Sequence, residues 1–303
     1  MGKIVGIGAC VFDTLYTLPT YPTEDTKMRA TSSKVAGGGP VATGLCAASR
    51  LGEESAYLGV LSDDQGGAYL RRDFERYGVD TAGIRICPGY RSFASVLWLC
   101  ADSGTRTCVF DKGDLPPLVL DEEQKAMIRQ ASILMVDGNE LDAACEAASL
   151  ARDSGVTVLY DCGGRYPGVE RLLALTDIMI PSEEFALGHT GAASAEEAAK
   201  QLFDTYAPRV VVITQGKRGG LLYDGQGIRR YPIYPARVVD SNGSGDVFHG
   251  AFAAALAKGY DFERCCHFSS AVSALKCEGI GARESVPELA TVKNFLKENG
   301  YEL

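Results

Sequence analysis

The chain has 303 residues, 46% of them hydrophobic, and a formal net charge of -9. That composition fills a sizeable core and, with no Lys/Arg cluster, excludes general nucleic-acid binding. No apolar run is long enough for a membrane span, and ten cysteines without a C-x-x-C pair fit free thiols in a reducing cytoplasm, not a disulfide framework.

In chain order, Met1-Gly2-Lys3-Ile4 opens a strand over 3–8, which argues against a secretory leader and against myristoylation at Gly2. A helix is expected over 40–50, a strand over 55–61 and a helix over 66–77. Then come helix 122–130, strand 133–137, helix 141–153 and strands 156–160 and 177–180. Helix 195–207 follows, with Ser194 and Glu197 as a capping box, then strand 209–214 and helices 262–277 and 287–298. This alternation predicts an α/β fold, a mostly parallel central sheet flanked by helices. Two β-rich segments interrupt it, 14–34 and 90–110, the second reading as two strands around Asp102-Ser103-Gly104-Thr105. They leave 1–13, 35–89 and 111–303 as the α/β core. From the residues alone the two segments are either a separate small sheet or a decorated sheet edge.

Cysteines 46, 100, 108 and 277 fall in core-like segments, and His189, His249 and His267 are too scattered for a zinc site. The first strand ends in Gly6-Ile7-Gly8, but Val11 stands where a dinucleotide fingerprint needs a third glycine. Asp13 is either a turn residue or a ligand contact. Gly37-Gly38-Gly39 either lets a ligand approach the backbone or starts helix 40–50 tightly. Asp137 and Asp161 close strands at the ends where α/β ligands gather. Strand 209–214 runs into Gln215-Gly216-Lys217-Arg218-Gly219-Gly220, which is not a Walker loop. Lys217 and Arg218 either touch phosphates or form a solvated basic turn.

The most informative stretch is Asp240-Ser241-Asn242-Gly243-Ser244-Gly245-Asp246, which leads into an apolar helix. Gly243, Ser244 and Gly245 let N–H groups converge at the helix N-terminus, a place that favours an anion. Asp246 sits beside that cradle, and the helix terminus is expected to lower its pKa. A phosphate cradle next to a carboxylate base is what phosphoryl transfer to an alcohol needs.

This stretch resembles the D-T-x-G-A-G-D motif of the ribokinase-like (PfkB) carbohydrate kinases, with Ser241 for Thr and Ser244 for Ala. Gly37-Gly38-Gly39-Pro40-Val41-Ala42-Thr43 resembles the family's N-terminal motif. Gly59 to Gly66 matches its G-x-x-G-x-D-x-x-G stretch, with Ser62 where glycine is common. The resemblance spans essentially the whole chain. It implies a ribokinase-like three-layer fold whose β-segments form a lid over the sugar site, often also a homodimer surface. It implies ATP and Mg2+ as cofactors and a sugar as substrate.

Carried over by position, Asp246 is the base and Gly243, Ser244 and Gly245 hold the phosphoryl group. Asp13, Gly38, Gly39 and Thr43 face the sugar, Thr43 standing where the family has asparagine. Thr214, Gly216, Gly219, Asp240 and Asn242 belong to the nucleotide side. Gly281, in a segment similar to the family's G-A-x-x-x-x-P, borders the adenine and a monovalent-cation (K+) site. Lys27, Arg106 and Asn139 are further candidate substrate contacts. Asp161-Cys162-Gly163-Gly164-Arg165 resembles D-x-N-x-R with Gly163 for Asn. The N-x-x-E motif is replaced by Ser182-Glu183-Glu184-Phe185, leaving Glu183 and Glu184 as candidate magnesium ligands. Gly37-Gly38-Gly39-Pro40, Asp246-Val247-Phe248-His249-Gly250 and Ala274-Leu275-Lys276-Cys277 are similar to the sulfofructose-kinase branch. Two alternatives stay open: a nucleoside acceptor stacked on Tyr16, Phe93 or Trp98, and a ligand-binding regulator without turnover.

Overall fold

The computed structural model describes residues 3–103 and 105–303, so Gly2 and Gly104 lie outside the described residues. Nine strands form one sheet, in the order Ile228–Tyr231, Gly220–Tyr223, Val210–Thr214, Ile178–Pro181, Thr157–Cys162, Ile133–Val136, Ile4–Ile7, Ser55–Tyr57 and Val79–Asp80. The seven strands from Val210–Thr214 onward pair in parallel, and the first two add an antiparallel hairpin at the edge. Strands such as Ile4–Ile7 and Ile133–Val136 are buried along their whole length, as a sheet covered on both faces requires.

One face is covered by helices Pro40–Arg50, Ser244–Ala257, Phe262–Lys276 and Leu289–Glu298, the other by Glu122–Arg129, Leu141–Asp153 and Ala195–Tyr206. Pro40–Arg50 and Ser244–Ala257 cross at two glycines: a Cβ at Gly250 would lie 2.0 Å from the Gly44 carbonyl oxygen. That backbone-to-backbone approach ties the Gly37–Gly39 turn to the turn carrying Asp246.

The expected strand 55–61 is broken at Leu58. Ser55–Tyr57 joins the large sheet, whereas Gly59–Ser62 pairs in parallel with Ile84–Cys87 in a separate two-stranded sheet. The capping box is half made: the Ser194 hydroxyl accepts from the Glu197 N–H at 3.2 Å, but the Glu197 carboxylate accepts from Ala193. No helix among the described residues is long and apolar enough to cross a membrane. All ten cysteines are free. Cys108 is exposed on a strand of the small sheet, which corrects its placement in the core.

That small sheet has four strands, in the order Ser32–Gly38, Val11–Leu18, Ala94–Cys100 and Arg106–Asp111. Its strands therefore begin at residue 11 and end at residues 38 and 111, beyond the boundaries read from the sequence. The segment between Leu18 and Ser32 is irregular. Asp13, Ser95 and Phe110 stand opposite one another across three strands, so they share a face. Leu15, Ala36 and Leu97 make a small core on that face.

Candidate active site

The helix Ser244–Ala257 starts at Gly243, whose φ of 71° is left-handed. A Cβ there would lie 2.4 Å from the Ala282 Cβ, so only glycine lets this turn touch the loop that follows helix Phe262–Lys276. The Ser244 N–H is directed at the Ser241 carbonyl at 3.3 Å. The N–H groups of Gly243, Gly245 and Asp246 have no partner among the described residues. They are the orphan donors that every helix start leaves, and a Cβ at Gly245 would meet nothing within 4 Å. The anion cradle therefore takes in the Asp246 N–H, while that of Ser244 is engaged.

Asp246 does not have the lowered pKa expected of a helix terminus. Burial pushes its carboxyl up, opposed by the charges of His249, Arg106, Arg283 and Lys276. Beneath it lies Asp161, at the end of Thr157–Cys162 and 4% exposed. Burial pushes Asp161 up to about 7. Its Oδ2 is 3.0 Å from Nδ1 of His249, yet lies off the N–H direction and accepts no hydrogen bond. The His249 N–H axis is aimed instead at the Gly245 carbonyl, 2.6 Å away.

On the small sheet, Asp13 accepts from the Ser95 hydroxyl at 2.6 Å and lies over Gly38. Burial pushes its carboxyl up to about 6, against the Ser95 hydrogen bond and the Arg283 charge. Gly38 and Gly39 end the strand and open helix Pro40–Arg50. Arg283 is buried beneath them, donating to Asp73 Oδ2 at 2.6 Å and to the Gly38 carbonyl at 2.7 Å. Thr43 is 0% exposed, and its hydroxyl oxygen faces Arg283 Nε at 3.4 Å. The helix phase thus turns Thr43 into the protein, correcting its reading as a sugar contact.

Asn139 is anchored to Asp137 through its N–H and side-chain amide, while Asp137 also accepts from Ala9. It lines a cavity of about 360 Å³ with Gly8, Cys10, Phe93, Lys112 and Glu140. Arg106 begins the outer strand of the small sheet, and its charge reaches Asp246. Lys27 is exposed in the irregular segment, with no ion pair among the described residues. Tyr16 and Trp98 pair with each other on the face opposite Asp13, so strand alternation removes them from the site; Phe93 remains beside it.

On the other side, Thr214 ends its strand and Gly216 starts the short turn Gly216–Arg218. A Cβ at Gly219 would strike the Tyr231 carbonyl at 2.3 Å, so Gly219 serves the edge hairpin. Asp240 is a joint: its carboxylate accepts from the N–H groups of Asn242 at 2.8 Å and Gly281 at 2.9 Å. Glu183 accepts from Gln215 at 2.7 Å and pairs with Arg218, so neither oxygen is free for magnesium; Glu184 is exposed on the next position of that helix. No group of three or more acidic, histidine or cysteine side chains among the described residues is disposed to hold a metal. Of the two residues expected to bind magnesium, Glu183 is thus engaged by protein groups, and Glu184 has no hydrogen bond or ion pair among the described residues.

Near Gly281, where a monovalent cation is implied, the Asn242, Gly279 and Gly281 carbonyls accept from no group among the described residues, but several neighbouring oxygens are engaged. The Cys277 carbonyl already accepts from Val239 and Asp240, the Lys276 carbonyl from Gly279, and the Asp240 carbonyl from the Lys276 ammonium at 2.7 Å.

Arg283, His249 and Lys276 were missed from the sequence. His249 is a lone titratable side chain in an otherwise apolar run, a mismatch that could have found it; Arg283 and Lys276 have acidic neighbours at Glu284 and Glu278 and carry no such signal.

A family model of pfkB family carbohydrate kinases matches residues 1–289. The chain is 28% identical over 301 residues to an ATP-dependent ribose-1-phosphate kinase of Halopiger xanaduensis, covering 98% of this chain and 99% of the other. It is 25% identical over 315 residues to a 5-dehydro-2-deoxygluconokinase of Shouchella clausii, covering 97% and 95%. The structure of Arabidopsis thaliana ribokinase complexed with ribose and ATP superposes with a TM-score of 0.85 at 23% identity, covering 98% and 99% of the two chains.

Proposed function

The chain belongs to the pfkB family of carbohydrate kinases, and from that premise we propose that it transfers the γ-phosphoryl group of ATP to a hydroxyl of a sugar or sugar-like acceptor with Asp246 as base. The observation that carries this reading is the turn itself: a carboxylate in the first helical turn beside three unpartnered N–H groups. As the acceptor oxygen forms its bond to the γ-phosphorus, the bond to the β-γ bridging oxygen breaks and ADP leaves. The hydroxyl proton passes to Asp246. A carboxylate raised by burial is a better proton acceptor than an ordinary one. The free N–H groups of Gly243, Gly245 and Asp246 are placed for the charge on the transferred group.

Asp13 and the Gly38 backbone orient the acceptor, with Asn139 at the neighbouring cavity. Thr214, Gly216 and the Gly281 loop take the nucleotide, which arrives as its magnesium complex; no residue is assigned to the ion. Segments 14–34 and 90–110 act as the lid that excludes water from the core. Arg106 on that lid suits an anionic acceptor, in keeping with the acceptor named for the Halopiger relative. Val35, Val96 and Val109 form an exposed apolar row on the outer lid face, which supports a homodimer joined there. A nucleoside acceptor is favoured by one contact: Phe93 and Phe110 stand 5.8 Å apart, with Phe110 61% exposed on the Asp13 face.

The test is ADP release with ATP and Mg2+ across ketoses, aldoses, sugar acids, sugar phosphates, sulfo-sugars and nucleosides, with Asp246→Asn alongside. Turnover with one class, reduced ~10²–10⁴-fold in the variant, is expected. Full activity in the variant removes the base assignment. ATP binding without turnover on any acceptor makes the chain a regulator.

A further inference from the structure

Lys276 is the last residue of helix Phe262–Lys276 and has no exposed surface. A buried ammonium is costly unless it is paired with negative charge and hydrogen-bonded. Its one hydrogen-bond acceptor among the described residues is the Asp240 carbonyl at 2.7 Å, which leaves two of its three N–H donors without a partner there. Asp240 is held at every polar atom: its N–H donates to the Cys277 carbonyl, and its carboxylate joins Asn242 and Gly281. Burial pushes the Lys276 ammonium below the usual lysine range, opposed by the charges of Asp240 and Asp246, while Arg106 of the small sheet adds to the burial effect. The ammonium therefore lies inside the joint that fixes the Ser241–Gly245 turn against the Gly281 loop.

We propose that Lys276 is a tethered cation, its ammonium holding the Asp240–Asp246 turn in its anion-accepting form in place of a bound monovalent ion. An ammonium carries one positive charge and binds carbonyl oxygen, as such an ion would. The Lys276 and Cys277 carbonyls at this helix end are already used by protein N–H groups, which leaves an added ion only loop carbonyls such as those of Asn242, Gly279 and Gly281. A covalently held cation also costs no ion-binding entropy at each turnover. The inference deepens the kinase reading and rests on it for the role of the turn.

The test is calorimetric titration of the full-length protein with ADP, in potassium chloride and in tetramethylammonium chloride at equal ionic strength, with turnover measured in parallel. The wild-type affinity is expected to be the same in both salts. Lys276→Met is expected to lose on the order of tenfold in ADP affinity in tetramethylammonium, the size of a lost charge-assisted hydrogen bond, and to recover part of it in potassium or ammonium. Wild-type affinity that depends on potassium overturns the proposal. So does a Lys276→Met protein with unchanged affinity, or one whose loss no cation repairs, which makes Lys276 a direct phosphate contact. If that variant does not fold, the wild-type comparison alone decides. A protein that phosphorylates no acceptor fails the kinase reading, while the calorimetry still judges Lys276.

Discussion

His249 and Asp161 meet 3.0 Å apart, Nδ1 to Oδ2, one helical turn below Asp246. The other ring nitrogen of His249 faces the Ile180 carbonyl at 3.0 Å, and Nδ1 also faces the Gly245 carbonyl. Both nitrogens thus confront acceptors. A neutral imidazole has one N–H, so its tautomer decides which of the two carbonyls it serves. The Asp161 carboxyl stands beside the ring in a place almost closed to water.

The pair makes a prediction for kinetics. The His249 charge is the largest influence opposing burial at Asp246, followed by Arg106, Arg283 and Lys276. In His249→Gln that charge is gone, so Asp246 holds its proton to higher pH. The acid limb of the kcat/KM profile should shift upward in pH, while activity on the alkaline plateau is largely kept. An unmoved limb means that His249 is only a packing residue.

Asp161 gives a second, thermodynamic prediction. Its folded-state pKa, about 7, lies above the ordinary 3.8. Between those values the folded protein keeps a proton that the unfolded chain has lost, so this group costs stability as pH rises from about 4 to about 7. Asp161→Asn should therefore gain on wild type across that window and hold a constant difference above it. Urea denaturation at pH 5 and pH 8 reads this directly, and a difference independent of pH refutes it.

Arg283 and Asp73 form a buried ion pair, with side chains 1% and 7% exposed. Removing one partner strands the other charge, which costs about 3–5 kcal/mol. Arg283→Met should lose that much in chemical denaturation and also slacken the Gly38 carbonyl that it holds. Arg283→Met combined with Asp73→Leu should recover a large part of the loss. A double variant as unstable as the sum of the single changes contradicts the pairing.

The glycine crossing yields a packing prediction. Gly250→Ala forces helix Ser244–Ala257 off the Gly44 backbone, where the added methyl would sit 2.0 Å from a carbonyl oxygen. Overpacking of this kind costs about 1–3 kcal/mol. Because the shift separates the turn carrying Asp246 from the Gly37–Gly39 turn, turnover should fall more than nucleotide affinity. A melting temperature equal to wild type rules out the close crossing.

What was readable in the chain was what lies contiguous in it. The Asp240–Asp246 turn and its helix, the Gly37–Gly39 turn and most strands of the large sheet follow from local spacing, because glycine freedom, helix periodicity and apolar runs act over a few residues. Thr43 was misread for the opposite reason. Its motif position is local, but whether a helical side chain faces a cleft or the protein depends on what packs against it, here Arg283 from the far end of the chain.

The sequence by itself determined the α/β architecture, the family resemblance and the place of an anion cradle beside Asp246, since each is written in short-range pattern. Only the tertiary structure decided which charges surround that carboxylate. Arg283 reaches Asp73 across 210 positions, Lys276 turns back to Asp240, Arg218 captures Glu183, and His249 meets Asp161. Burial and charge pairing depend on neighbours in space, and those neighbours exist only once the sheet and its helices have packed.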